Sequence, residues 1–265
     1  MRQFIAAAFP DGEGRVSLSE ADAHYFSQVL RFSPGARVDV RLPDGTLAPM
    51  TLNGRGKAAY LEAAGGVPAE RAAGAQTAFY LFQFLPKAAK MDAIVRQAAE
   101  TGVSAVVPVL GAYSPPQDSA GRAERWRRII REARQQSGSP VDTAVLSPLP
   151  PEEALSWWRQ EKAGKPAFQA LLSETAADCG TGAFYSRLRG AAELPICAAV
   201  AVGSEGGIAD GERQLFFAEG FAPVHFQTNV LRADTAALYG MAALQTALTE
   251  GDYGDTADPA SRRSR

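Results

Sequence analysis

The chain has 265 residues, 46% of which are hydrophobic, and a formal net charge of −2 at pH 7. This length allows two ordinary domains, and the apolar fraction excludes a chain that is disordered throughout. The small net charge gives no overall signal for nucleic acid. Binding to RNA or DNA would therefore depend on local basic faces.

Cysteine usage and apolar runs indicate the compartment. Cys179 and Cys197 have neither a metal-binding spacing nor the pattern of a disulfide framework. No apolar run reaches the length of a membrane span, and the N-terminal stretch is too short and too weakly charged for a signal peptide. We expect a soluble protein of the reducing cytoplasm, without a membrane segment and without a metal.

Short alternating segments separated by turns occupy the first 63 residues. The strand-like segments lie at residues 15–18, 37–42, 47–52 and 59–63. This pattern predicts a small β-barrel or sheet. One helix is predicted from Glu20 to Phe32, with Ala23, Phe26, Val29 and Leu30 on its apolar face. Residues 65–74 indicate a linker, and we place the first domain at residues 1–72.

After Gly74 the pattern changes to strands that alternate with helices. Strands are predicted at 77–84, 105–110, 143–146, 168–172 and 196–202, and helices at 88–101, 123–137, 151–161 and from about 233. Such alternation predicts an α/β domain, here residues 73–250, with a mainly parallel sheet covered on both faces. The polar residues 251–265 are expected to form a disordered tail.

Two loops near the end of this domain carry the strongest functional signal. The first, Val202-Gly203-Ser204-Glu205-Gly206-Gly207-Ile208, follows an apolar strand, and the second, Asn229-Val230-Leu231-Arg232-Ala233-Asp234-Thr235, precedes an alanine-rich helix. Closely spaced glycines let backbone approach a ligand, and open parallel sheets bind ligands at the ends of their strands. The spacing matches neither a dinucleotide fingerprint nor a phosphate-binding loop. We expect the two loops to form one ligand pocket.

Basic residues are concentrated at a few places. Six arginines lie on the predicted helix at 123–137 and its approach, where a solvated helix face is the alternative interpretation. Lys87 and Lys90 follow the first strand of the second domain, on the side expected for the glycine loop. His24 and Arg31 are seven residues apart, which would place them on roughly the same side of one helix.

Dispersed motifs along the chain match a known family in order. They are His24 with Val29-Leu30-Arg31 and Gly35, Leu85-Pro86-Lys87 with Lys90-Met91-Asp92, Glu100-Thr101-Gly102-Val103 with Pro108, Gln136-Ser137-Gly138 with Pro140, and the two loops. In these motifs the chain resembles the RsmE family, the SPOUT-class methyltransferases that modify N3 of a uridine in 16S ribosomal RNA. The matches extend over nearly the whole sequence.

The resemblance implies an N-terminal PUA-like barrel that binds RNA and a C-terminal α/β domain with a deep trefoil knot. It also implies S-adenosylmethionine as the methyl donor, a homodimer, and the small ribosomal subunit as the partner. The residues expected to bind RNA are Arg2, His24, Arg31, Lys87, Lys90 and Arg125.

Individual roles follow from the same resemblance. The cofactor is expected to contact Leu172, Ser173, Glu174, Gly203, Ser204, Gly207, Ile208, Asn229, Val230 and Leu231. Arg232 is expected to stabilise charge on the uracil oxygens or a phosphate, although an ion pair with Asp234 or Glu205 is the alternative. Glu205 is a candidate catalytic group that either accepts the N3 proton or braces the loop.

The sequence departs from the family pattern at several positions. Ser204 stands where the family usually has proline, and Asn229 replaces a basic residue. Asp234 replaces a glutamate, whose side chain is longer, and Ser139 replaces an arginine. Ala209 stands where the family tends to have serine, so the helix cap is expected at Asp210. Two other functions therefore stay open: a related methyltransferase acting on transfer RNA or a ribose hydroxyl, and an RNA-binding or ribosome-assembly protein with impaired catalysis.

Overall fold

The computed structural model describes residues 2–63, 70–71, 77–115, 121–174 and 196–249. It divides into two compact units, Met1–Gly74 with Arg131–Val141, and Ala75–Ile130 with Asp142–Arg265. Residues 131–141 thus belong with the N-terminal unit, although the continuous helical pattern placed them in the second domain. The buried amide of Gln3 explains their position, since it donates to the carbonyls of Arg134 (3.0 Å) and Ser139 (2.9 Å).

The first unit is built on one six-stranded sheet. Its strands are β1 (Phe4–Ile5), β2 (Arg15–Ser17), β3 (Arg37–Arg41), β4 (Thr46–Asn53), β5 (Tyr60–Ala63) and β6 (Glu70–Arg71). The order is β1-β3-β4-β5-β2, with β6 beside β4, and every pair except β1 with β3 is antiparallel. Val40 and Leu61 are fully buried in its core. The mainly antiparallel sheet agrees with the alternating sequence pattern.

The predicted helix from Glu20 to Phe32 is wrong in its second half. Helix α1 covers only Glu20–His24, and Tyr25–Val29 form a wider π-helical turn in which the Leu30 amide donates to the Tyr25 carbonyl at 3.0 Å. Val29, expected on the apolar face, is 61% exposed because the wider turn changes the periodicity. Arg31 lies beyond the helical segment in a left-handed conformation, with φ of 56°. The helical spacing that paired His24 with Arg31 therefore does not apply.

Six parallel strands lie within the described residues of the second unit. They are β7 (Thr77–Phe84), β8 (Ala105–Val109), β9 (Ala144–Val145), β10 (Ala167–Leu172), β11 (Ile196–Val202) and β12 (Ala222–Val224). Their order is β12-β10-β11-β7-β8-β9, and all neighbouring pairs are parallel. The mixed α/β fold with a parallel sheet is confirmed.

Helices connect and cover these strands. They are α2 (Ala88–Glu100), α3 (Arg122–Ser137, whose last turns belong to the first unit), α4 (Pro151–Glu161), α5 (Asp210–Ala218) and α6 (Ala233–Thr249). The apolar face predicted for α2 is buried, including Met91, Ile94 and Val95. Phe82, in the middle of β7, contacts the rings of Trp158 and Phe221, so that strand and helix faces share an aromatic core.

Two details of the predicted element ends change. The strand expected at 143–146 is only Ala144–Val145. Helix α5 begins at Asp210, but its N-cap is Ala209, whose amide donates to the Glu212 carboxylate at 3.0 Å. The carboxylate three residues inside the helix therefore compensates for the missing side-chain cap.

Two segments and one cysteine discussed in the sequence analysis lie wholly or largely outside the described residues. The predicted linker at 65–74 lies outside the described residues, apart from Glu70–Arg71, which form β6. Cys179 and the predicted tail at 251–265 also lie outside them. Within the described ranges, no helix has the length and apolar character needed to cross a bilayer.

Candidate ligand-binding site

A cavity of about 510 Å³ lies at the carboxyl ends of β10, β11 and β12, beside the start of α6. Because β10 is paired in parallel with both of the other strands, their carboxyl ends meet at one edge of the sheet. The loops that follow the three strands therefore converge. This volume is within the range of small-molecule and cofactor sites.

The predicted pocket residues are brought together here. All ten expected cofactor positions border the cavity: Leu172, Ser173, Glu174, Gly203, Ser204, Gly207, Ile208, Asn229, Val230 and Leu231. Both candidate catalytic residues, Glu205 and Arg232, border it as well, and so does Lys90. The two loops singled out in the sequence thus form a single concave surface.

The glycine loop is closed by a tight turn from Ser204 to Gly207. The Gly207 amide donates to the Ser204 carbonyl at 3.0 Å, and the Gly206 amide donates to the Ser204 hydroxyl at 3.3 Å. Gly207 has φ of 80°, which favours glycine. A Cβ on Gly203 would lie 3.0 Å from the Gly207 carbonyl carbon, so the backbone crosses itself too closely for a larger residue. The serine hydroxyl stabilises a turn that the family usually builds with proline.

Gln83 anchors this loop from beneath, and the sequence pattern gave no signal for it. It is fully buried at the end of β7, and its side-chain amide donates to the carbonyls of Gly203 (3.1 Å), Val202 (3.3 Å) and Phe84 (2.9 Å). A buried amide is costly unless it is hydrogen-bonded, and here the Nε2 group has acceptors whereas the buried Oε1 has no hydrogen-bond partner among the described residues. Its three acceptors fix the point where β11 becomes the glycine loop.

Glu205 is held at the rim of the cavity by Lys90. The Lys90 ammonium lies 3.0 Å from the Glu205 carboxylate, and the backbone amide of Lys87 donates to the same carboxylate at 3.4 Å. Partial burial would raise the pKa of Glu205, but the hydrogen bonds from Lys90 and from the backbone of Glu205 and Lys87 lower it below its ordinary value. A carboxylate with a lowered pKa is a weaker proton acceptor.

Arg232 directly precedes α6 and borders the cavity. Within the described ranges its guanidinium forms no ion pair with Asp234 or Glu205, because Glu205 is engaged by Lys90 and the buried Oδ1 of Asp234 has no hydrogen-bond partner. Among the described residues, the structure thus shows neither of the two ion pairs that were the alternative role of Arg232. An exposed guanidinium at a pocket rim is available to a charged ligand.

Further residues line the cavity that the sequence interpretation did not identify. Tyr113 follows β8, His225 and Phe226 follow β12, and Arg213 lies on α5. The Nδ1 atom of His225 is 3.0 Å from the Ser173 carbonyl, which holds the two loops after β10 and β12 together. For Tyr113, His225 and Phe226, the position after a strand is the feature of the sequence that could have indicated them, whereas nothing in the pattern indicated Arg213.

The expected RNA-binding residues are divided between the units. In the first unit, His24 and Arg31 are exposed, and the backbone amide of Arg2 donates to the Gln135 carbonyl at 2.9 Å. In the second unit, Lys87 is exposed at the start of α2, and Arg125 forms an ion pair with Asp92.

Metal ligands are absent from the part of the chain that the structure describes. No group of three or more histidine, cysteine or acidic side chains there could hold a metal ion. Charged groups that border the cavity include the Lys90–Glu205 pair and Arg232.

Known proteins match the chain over most of its length. The model of an RNA methyltransferase domain family matches residues 74–245. The small-subunit ribosomal RNA methyltransferase E of Synechocystis is 30% identical over 239 residues, which are 89% of this chain and 74% of that protein. The enzyme of the same name from Aquifex aeolicus is 29% identical over 151 residues, covering 55% and 58% of the two chains.

Solved structures share the fold. A ribosomal RNA small-subunit methyltransferase E from Neisseria gonorrhoeae, bound to S-adenosylmethionine, superposes with a TM-score of 0.76 at 24% identity, over 93% of this chain and 97% of that one. A putative methyltransferase from Legionella pneumophila, also in complex with that cofactor, gives a TM-score of 0.74 at 20% identity, over 93% and 98% of the two chains.

The contacts of Glu205 predict how it titrates. Replacing Lys90→Met removes the ammonium hydrogen bond and its charge, so the pKa of Glu205 should rise towards its ordinary value. Carboxyl-detected NMR titration of the two proteins measures the change. The stabilisation of the folded state by this lowered pKa is present above the unfolded-state pKa and is lost as the pH falls through the folded-state value.

Lys87→Met is the matched control for that titration. Lys87 acts on Glu205 through its backbone amide rather than its ammonium, so the pKa of Glu205 should hardly change. Equal changes in the two variants would contradict the assignment of the effect to Lys90.

Proposed function

Because this chain belongs to the small-subunit ribosomal RNA methyltransferase E family of RNA methyltransferases, we propose that it transfers a methyl group from S-adenosylmethionine to N3 of a uridine in 16S ribosomal RNA. The chain is an RNA methyltransferase that uses S-adenosylmethionine. The observation that carries the proposal is the single cavity in which both signature loops, Glu205 and Arg232 meet.

The cavity has the features needed to hold the cofactor. Its volume of about 510 Å³ suits a nucleoside-sized molecule. The close crossing of Gly203 and Gly207 leaves backbone rather than side chains facing the ligand. Leu172, Val230 and Leu231 supply apolar surface for an adenine ring, and Val230 is 73% exposed and therefore accessible.

The chemistry assigned to the protein is positioning and charge stabilisation. When bound, S-adenosylmethionine supplies an electrophilic methyl group on a sulfonium. Loss of the N3 proton to solvent leaves negative charge on the uracil oxygens, and we assign Arg232 to stabilise it, since no ion pair joins its guanidinium to Asp234 or Glu205. Of the two roles open to Glu205, its lowered pKa favours bracing Lys90 and the loop over accepting a proton.

The RNA is proposed to contact both units. Residues 1–72, which lie within the first unit, are proposed to act as a PUA-like RNA-binding domain through Arg2, His24 and Arg31. Lys87, Lys90 and Arg125 supply the second set of contacts, at the rim of the cavity and on α3. Positively charged side chains suit a phosphate backbone, which they position without reading sequence.

The remaining features of the proposal follow from the family resemblance. We propose that residues 73–250 form a SPOUT domain with a deep trefoil knot, and that the protein works as a homodimer in the cytoplasm. Its partner is the small ribosomal subunit or the 16S ribosomal RNA within it.

A methylation assay on small ribosomal subunits that lack the modification tests the function directly. We expect transfer from labelled S-adenosylmethionine, and 3-methyluridine as the product identified by mass spectrometry of the nucleosides. A methylated ribose, or methylation of transfer RNA alone, would instead support a related methyltransferase with another target. No detectable binding of the cofactor by calorimetry at millimolar concentration would support a protein with impaired catalysis.

Arg232→Ala should lower kcat by roughly 100-fold or more, the usual effect of removing a group that stabilises developing charge. The dissociation constant of S-adenosylmethionine, measured by calorimetry, should stay nearly unchanged. Arg96→Ala is the control, since this arginine is 57% exposed on α2 and pairs only with Glu100 among the described residues. Unchanged turnover in Arg232→Ala would refute the role.

Gln83→Leu should weaken the binding of S-adenosylmethionine about tenfold, because the Gly203 and Val202 carbonyls lose their donor and the loop loses its anchor. Isothermal calorimetry measures the dissociation constant, and urea unfolding measures the loss of stability.

Gln169→Leu provides a matched control for Gln83. Gln169 is also a largely buried amide in the same sheet, but it accepts from the Trp158 indole at 2.7 Å and donates to the Glu219 carbonyl, outside the cavity. Both variants should lose stability, and only Gln83→Leu should bind the cofactor more weakly. Equal weakening in both would show that Gln83 acts through general stability alone.

A further inference from the structure

Tyr113 is an exposed aromatic side chain at the rim of the cavity. It follows β8, is 55% exposed, and borders the same cavity as Glu205, Gly206 and Arg232. Neither the glycine loop nor the loop before α6 contains it. A large ring left open to solvent beside a ligand site offers surface that a bound molecule can bury.

The base of this side chain is fixed against the glycine loop. A Cβ on Gly206 would lie 2.8 Å from the Tyr113 Cβ and 3.1 Å from its Cγ, so the tyrosine packs directly on the glycine. Only a residue without a side chain at position 206 allows this approach. The base of the tyrosine is thus held against Gly206, the chain neighbour of Glu205, whose carboxylate is 3.0 Å from the Lys90 ammonium.

Residues 111–114, which include Tyr113, are held by three hydrogen bonds. The Ser114 amide donates to the Gly111 carbonyl at 3.0 Å, and the Gly111 amide donates to the Ser114 hydroxyl at 3.0 Å. The Ala112 amide donates to the Glu212 carboxylate of α5 at 2.6 Å. The backbone that carries the ring is therefore restrained, so little backbone entropy is lost when a ligand stacks on it.

We propose that Tyr113 is the platform on which the unpaired target base of the RNA stacks as it enters the cavity, an inference that rests on the proposed function. A base that is methylated at a ring nitrogen must leave its helical stack, and aromatic side chains replace the stacking that it loses. Lys90, on the same rim, is placed for the phosphate of that nucleotide. The face of the Tyr113 ring stacks on the base, while the apolar side chains of Leu172 and Leu231 contact the cofactor.

Tyr113→Leu separates stacking from packing, because leucine keeps the Cβ contact with Gly206 and lacks an aromatic face. We expect the KM for the ribosomal substrate to rise about tenfold, with the dissociation constant of S-adenosylmethionine nearly unchanged. Tyr113→Phe retains the ring and should behave like the wild-type protein. Thermal unfolding of each variant checks that the fold is retained.

Two results of that experiment would overturn the inference. One is a KM for RNA in Tyr113→Leu that stays within twofold of the wild-type value. The other is a loss of affinity for S-adenosylmethionine that exceeds the loss for S-adenosylhomocysteine, which has a neutral thioether in place of the sulfonium; that result would assign the ring to the sulfonium by a cation–π contact.

Tyr113→Trp supplies a direct readout of stacking. The emission added by this tryptophan, relative to the three tryptophans of the wild-type protein, should be quenched when the ribosomal substrate is added. Unquenched emission at saturating substrate would contradict stacking. If instead the wild-type protein methylates no ribosomal RNA, the proposed function fails, whereas an active wild-type protein with an unaffected Tyr113→Leu variant refutes only the role of Tyr113.

Discussion

The parallel pairing of β10 with β11 and β12 is the constraint on which the site depends. Parallel strands end at the same edge of a sheet, so Ser173, Gly203 and His225, which directly follow the three strands, lie at one edge although they are distant in sequence. The strand register sets which residues line the cavity. Leu171 lies beside Ala201 and Pro223, and the residues one or two positions further along each chain segment line the cavity. The position of the cavity is thus set by the strand order of the sheet, and the side chains then determine its shape.

Side chains then restrain the glycine loop at the end of β11. Gln83 holds the start of the glycine loop, Ser204 closes its turn, and the Lys90–Glu205 pair fixes its outer side. These contacts come from β7, the loop itself and α2, so the loop is restrained from below, within and outside. A loop restrained in this way loses little freedom on binding, which favours affinity for a small cofactor.

The sequence predicted the second unit well because its strands are long apolar runs and its helices have regular apolar faces. The strand Ile196–Val202 and the helix Pro151–Glu161 were predicted with the bounds that the structure shows. The π-helical turn at Tyr25–Val29 was not predicted, because its residues satisfy a helical pattern whose period the wider turn then changes. The assignment of residues 131–141 to the first unit depends on long-range hydrogen bonds from Gln3, which no local pattern encodes.

The site shows the same division between local pattern and tertiary contact. Its glycines and Arg232 were visible as motifs, while Tyr113, His225 and Gln83 become part of the site only through the sheet order.

The turn at Ser204 limits which substitutions position 204 tolerates. Its turn is closed by a hydroxyl in a space where the residue is only 7% exposed, so both bulk and polarity are restricted there. Selection should therefore retain a small residue with a hydroxyl group at position 204. A proline at this position would instead restrict the backbone angle φ.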